Sequence, residues 1–110
     1  MEAKLRLSIK KNGEHVYGAG RQKLLLAVDK LGSLNKAAAS LEMSYRAAWG
    51  KIKISEERLG FKLLKSRTGG AGGGGADLTP QARVLMEKYS RFRRNAARQV
   101  EREFRAAFTP

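Results

Sequence analysis

The sequence predicts a mainly α fold with small β elements, and three observations carry that prediction. Residues 32–49 read as two short helices joined by a tight turn, with small residues where the helices would cross closely. Two short extended stretches then flank a glycine-rich run at 68–76. Beyond them, apolar or small residues recur every three or four positions from Ala82 to Ala107, over about eight turns. Together these predict a winged helix-turn-helix with an N-terminal β-hairpin and a long C-terminal dimerisation helix. The expected division is a winged domain over residues 1–78 and the long helix over 79–110.

Each element has a local cause. Leu5, Leu7 and Ile9 alternate with Arg6 and Ser8, and Asn12-Gly13 follows. That dipeptide is a strong hairpin signal, because a type I′ turn needs positive φ at both central positions. Pairing around it sets Lys11 opposite Glu14 and Ile9 opposite Val16. From Arg21 the period becomes helical, with a stripe of Leu24, Leu25, Val28 and Leu31 and a stop at Gly32. Ser33 stands where an N-cap belongs, and Leu34, Ala37, Ala38 and Leu41 form the next apolar face. After a turn at Glu42-Met43, Ser44 caps a third helix running to Leu59, which Gly60 ends. Phe61 to Ser66 reads as a strand, Asp77-Leu78-Thr79 as its partner, and Thr79-Pro80 opens the last helix.

Charge points to the class of partner. The chain has 110 residues, 23 Lys+Arg against 10 Asp+Glu, and a formal net charge of +13. A polyanion is the natural partner, because neutralising phosphates releases condensed counterions. The positive charge is spread over the whole chain, so it predicts affinity without locating the contact surface. With no cysteine, disulfides and thiolate metal sites are excluded. One histidine, His15, makes no imidazole cluster, and no nucleophile–base set is present. Glu56, Glu57, Glu101 and Glu103 read as salt-bridged helix surface. No catalysis, cofactor or metal is expected. No apolar run is long enough to cross a membrane and no secretion signal opens the chain, so a cytoplasmic protein is expected.

The candidate contact surface follows from helical spacing. If Ala48, Ile52 and Leu59 face inward, then Ser44, Tyr45, Arg46, Trp49, Gly50 and Lys53 share the outward side. Arg46 suits O6 and N7 of guanine, a pairing worth roughly 1–3 kcal/mol of discrimination. Ser44 and Tyr45 suit phosphate or a base edge. Gly50 inside a helix costs about 1 kcal/mol against alanine and therefore asks for a close approach, to DNA or to the protein itself. Ser33, Lys36, Arg67, Thr68, Gly69, Gly70, Gly72 and Gly73 are the candidates for the DNA backbone, since a tip without Cβ atoms can lie against phosphate or in the minor groove. Nucleotide binding by the glycines is disfavoured, because no Gly-Lys-Ser/Thr follows them. On the last helix Leu85, Tyr89, Phe92, Ala96, Val100 and Phe104 form a stripe too long for the domain to cover. A second copy is the expected partner.

Residues 32–59 resemble the helix-turn-helix of LysR-type bacterial regulators. The likeness is stronger to the molybdate-responsive ModE-type regulators. Ser44-Tyr45-Arg46-Ala47-Ala48-Trp49 is similar to the opening of their recognition helix, and residues 68–76 with Leu78-Thr79 are similar to their wing. The resemblance implies a dimer built through long helices and transcriptional regulation at operators on double-stranded DNA. That family also carries C-terminal molybdate-binding domains, and no small-molecule effector site is expected within these 110 residues. Two other classes compete: a low-specificity architectural protein that coats DNA, and a protein-interaction module acting through the long helix.

Overall fold

A computed structural model of the chain describes residues 1–67 and 74–110. β1 (Ser8–Lys11) and β2 (Glu14–Gly18) form the N-terminal hairpin. Asn12 and Gly13 both have positive φ, 52° and 79°, as the turn type requires. The register departs from simple alternation. Lys11 pairs with Glu14 and Lys10 with His15, but a bulge between Ile9 and Lys10 sets Ile9 opposite Tyr17, not Val16. Strict alternation would send one of two neighbours to solvent; the irregularity accompanies burial of both Val16 and Tyr17.

α1 (Ala19–Leu31) starts two residues earlier than the apolar period suggests. It buries Leu24, Leu25 and Val28, while Leu31 stays exposed in its last turn. Gly32, at φ 77°, ends it by donating its N–H to the Val28 carbonyl. The Ser33 hydroxyl accepts from the Lys36 N–H and caps α2 (Leu34–Ser40). Leu34, Ala37 and Ala38 of α2 are buried. Leu41 is not: it lies past the last helical residue and is exposed. The turn closes with the Met43 N–H on the Ala38 carbonyl at 3.0 Å.

α3 (Tyr45–Leu59) is capped by Ser44, whose Oγ accepts from the Ala47 N–H at 3.0 Å, and it stops at Gly60 with φ 85°. Ala37, Ala38 and Ala48 are each at most 1% exposed, so the crossing of α2 and α3 is built from methyl groups. β3 (Leu64–Arg67) and β4 (Gly75–Leu78) pair antiparallel, from Leu64–Leu78 to Arg67–Gly75. The first strand is shorter than expected, because Phe61 and Lys62 belong to the turn after α3.

α4 (Pro80–Phe108) is one helix of 29 residues. Thr79 joins it to the wing, accepting from the Ala82 N–H and donating its hydroxyl proton to the Lys62 carbonyl. Only its first three turns enter the core, through Ala82, Met86 and Tyr89. The remainder projects and gives the molecule its 61 Å long axis.

Candidate nucleic-acid interface

The two sides of α3 differ in burial. Ala48, Ile52, Ser55 and Glu56 are buried. Tyr45 is 51% exposed and Trp49 48%, and Arg46 also stands in solvent. The tyrosine–arginine–tryptophan edge thus faces away from the interior, while the alanine–isoleucine side packs.

Details of the outer side refine each role. Ser44 Oγ accepts from a backbone N–H, which leaves its hydroxyl proton for an outside acceptor. A Cβ built on Gly50 would meet nothing within 4 Å. The protein's own packing therefore does not require glycine there. Lys53 leans over the flank of the helix, its Nζ 5.4 Å from the Trp49 ring centre and 3.4 Å from Glu56 Oε1. Beside it, Trp49, Lys53, Glu56, Glu57, Gly60, Phe61 and Lys62 line a shallow open groove.

The wing is tied to the helix-turn-helix at its base. Gly32 supplies a carbonyl that accepts from the Ala76 N–H at 3.0 Å and from Arg67 Nη2 at 2.7 Å. Arg67 also pairs through Nε with Asp77 at 3.3 Å. Its guanidinium, expected to lie against DNA backbone, acts first as a strut between the wing and the α1–α2 turn. A Cβ on Gly75 would come within 2.6 Å of both the Gly32 carbonyl and Arg67 Nη2, so glycine is needed there for space. Thr68, Gly69, Gly70, Gly72 and Gly73 lie outside the described residues. At the N-terminus of α2, Lys36 is exposed and Ser33 half-buried, on the same turn as Gly32.

The stripe on α4 divides in two. Tyr89, expected on the dimer face, is 3% exposed: its ring packs on Tyr17 and its hydroxyl donates to the Leu7 carbonyl at 3.0 Å. Leu85 is partly buried against the same core. Phe92 is half exposed, Ala96, Val100 and Phe104 are partly covered along the projecting helix, and Phe104 meets Phe108 at 5.1 Å between ring centres.

Glu56 is another residue that sequence reasoning misplaced. It is 6% exposed, not surface, and its Oε2 accepts from the Leu63 and Leu64 N–H groups. The signal was present: Glu56 falls four residues after Ile52 and eight after Ala48, on the buried stripe. Its charge led away from that reading. Ser55 was missed in the same way; it donates to the Val16 carbonyl at 2.7 Å and accepts from Arg21 Nε. Among the described residues no group of three or more His, Cys, Asp or Glu could hold a metal ion, and no helix is long and apolar enough to cross a membrane.

A close helix pair with an exposed polar edge on its second member, and a hairpin braced beside it, define a winged helix-turn-helix protein. The chain belongs to the bacterial regulatory helix-turn-helix proteins of the lysR family, whose pattern matches residues 21–83. It is similar to the molybdenum-pterin-binding protein MopB of Rhodobacter capsulatus, with 38% identity over 66% of this chain and 27% of that protein. It is also similar to the DNA-binding transcriptional dual regulator ModE of Escherichia coli K12, with 32% identity over 81% of this chain and 34% of that protein. The chain thus spans roughly a quarter to a third of the length of the curated relatives it matches. Among solved structures it resembles the chain in the crystal structure of a CbnR_DBD–DNA complex, with a TM-score of 0.59 and 28% identity. That match covers 81% of this chain and 98% of the other.

Proposed function

We propose that this chain is the DNA-reading part of a sequence-specific bacterial transcriptional regulator. α3 enters the major groove with Arg46 on a guanine edge and Tyr45 and Trp49 beside it, and Lys53 joins them only at a preferred site. Ser33 and Lys36 at the start of α2, and the glycine-rich wing, lie on the sugar–phosphate backbone or in the minor groove. The projecting half of α4 pairs with its copy, so that two reading heads meet two half-sites. On this reading residues 1–78 form the winged domain and 79–110 the dimer helix, whose first three turns also complete the core. The protein works in the cytoplasm as a homodimer and catalyses no reaction; no effector, cofactor or metal is assigned to this segment.

One observation carries the reading: the edge of α3 that holds Tyr45, Arg46 and Trp49 is exposed while Ala48 and Ile52 are buried. The net charge of +13 favours a second reading, a protein that coats DNA with little preference. Selection of duplexes from a random pool, followed by competition with random DNA at physiological salt, separates them. A reader prefers its selected site by about 10³-fold or more. A preference below about tenfold would leave only the coating function.

A further inference from the structure

Glu56 stands at the joint between the reading helix and the wing. Its Oε2 accepts from the Leu63 N–H at 2.7 Å and the Leu64 N–H at 3.3 Å, which fixes the start of β3 against α3. Oε1 is buried and, among the described residues, accepts no hydrogen bond. It instead faces two ammonium groups, Lys53 Nζ at 3.4 Å and Lys62 Nζ at 3.8 Å. One lysine comes from α3 and the other from the turn before β3, and both line the open groove on the flank of the reading helix.

We infer that Glu56 is a positioning residue that sets DNA selectivity, by holding Lys53 and Lys62 on its carboxylate and so keeping them from neutralising phosphates of arbitrary DNA. The inference rests on the DNA-reading function proposed above. A lysine ammonium is a point charge on a flexible stem, able to reach phosphate on any sequence. Freed lysines would therefore strengthen non-specific binding most, because a loosely placed complex lets them search for phosphates. A complex seated by base contacts confines them. A carboxylate anchored by two backbone N–H groups cannot follow the lysines outward, so a phosphate that draws them off leaves its buried oxygen without a cation, at a cost that opposes their transfer to DNA. The geometry is that of an internal stand-in for a phosphate.

The test uses the full chain, a random-sequence duplex and a duplex chosen by selection, with binding followed by fluorescence anisotropy over a salt series. Glu56→Gln keeps an amide carbonyl for the Leu63 and Leu64 N–H groups but removes the charge. Its log Kobs against log[salt] on random DNA should steepen by about 0.9 per freed lysine, near 1.8 for both. Random-DNA affinity should rise and the preference for the selected duplex should fall. Adding Lys53→Gln and Lys62→Gln should return the slope to the wild-type value. A Glu56→Gln protein that melts cooperatively yet keeps the wild-type slope and preference overturns the inference, as would a purely structural role for the residue. If that variant does not fold, the Lys53→Gln/Lys62→Gln pair alone decides. An unchanged slope on random DNA supports the restraint, and a slope shallower by near 1.8 shows that both lysines already bind phosphate. A wild-type chain with no preferred duplex removes the DNA-reading function and this role together, whereas a clear wild-type preference with an unaltered Glu56→Gln slope removes this role alone.

Discussion

Tyr17 and Tyr89 meet edge to face, their ring centres 5.3 Å apart and their planes at 79°. The contact joins the N-terminal hairpin to the first half of α4. Tyr17 also donates its hydroxyl proton to Gln22 Oε1. Gln22 in turn donates through Nε2 to the Met86 carbonyl at 3.0 Å and to Ser90 Oγ at 2.9 Å. Burial, then the nearby Tyr89, pushes the Tyr17 hydroxyl above the usual tyrosine range, so it remains a donor. Hairpin, α1 and α4 are thereby one unit, and that unit sets the direction in which α4 leaves the domain.

Tyr89 is therefore a stability residue. Tyr89→Phe leaves the Leu7 carbonyl without its donor and should cost about 1 kcal/mol, read as a lower urea midpoint at constant slope. Tyr89→Ala should cost about 3–5 kcal/mol, as for other buried aromatic truncations. A Tyr89→Phe variant with wild-type stability but weaker self-association would return the residue to the dimer face.

Two glycines should respond in opposite directions to alanine. Gly50 has open space where a Cβ would stand, so Gly50→Ala should stabilise the free protein by about 1 kcal/mol. The same methyl should weaken binding to the selected site, since α3 could no longer lie as close to DNA. Gly75→Ala should destabilise by roughly 1–3 kcal/mol, because the added methyl meets the Gly32 carbonyl and Arg67. Thermal melts and binding isotherms on both variants check the pair. Tighter binding by Gly50→Ala would contradict the groove approach.

Arg46→Ala should cost about 1–3 kcal/mol on the preferred site and relax the choice at one base pair. Binding to a panel of single-base variants of the selected duplex reads this directly. An equal loss on every duplex would make Arg46 a phosphate contact.

Removing the residues after Arg91 should leave a folded monomer. The core contributors Ala82, Met86 and Tyr89 are retained, while Phe92, Ala96, Val100 and Phe104 are lost. Sedimentation should show one chain, with operator affinity greatly reduced. A dimer that survives the cut would place the interface elsewhere.

Much of the fold was legible in the chain because its causes are short-ranged. Asn12-Gly13, Gly32 and Gly60 act through their own backbone angles, and Ser33, Ser44 and Thr79 cap N–H groups three residues away. The outward edge of α3 was only partly legible: Tyr45 and Trp49 stand three residues from Ala48 and Ile52, which spacing alone does not part, and it is packing on Ala48 and Ile52 that leaves the other two half exposed. Tertiary structure decided which members of each apolar or charged set meet distant partners. Tyr89 turns inward for a carbonyl 82 positions away, Arg67 braces Gly32 35 positions away, and Ile9 shifts its register where Val16 and Tyr17 are both buried. Glu56 goes inside because the chain turns back after Gly60 and presents two backbone N–H groups to it. A periodic pattern assigns a residue to a side of its element; only the folded chain supplies the donor or carbonyl that makes burying a polar group favourable.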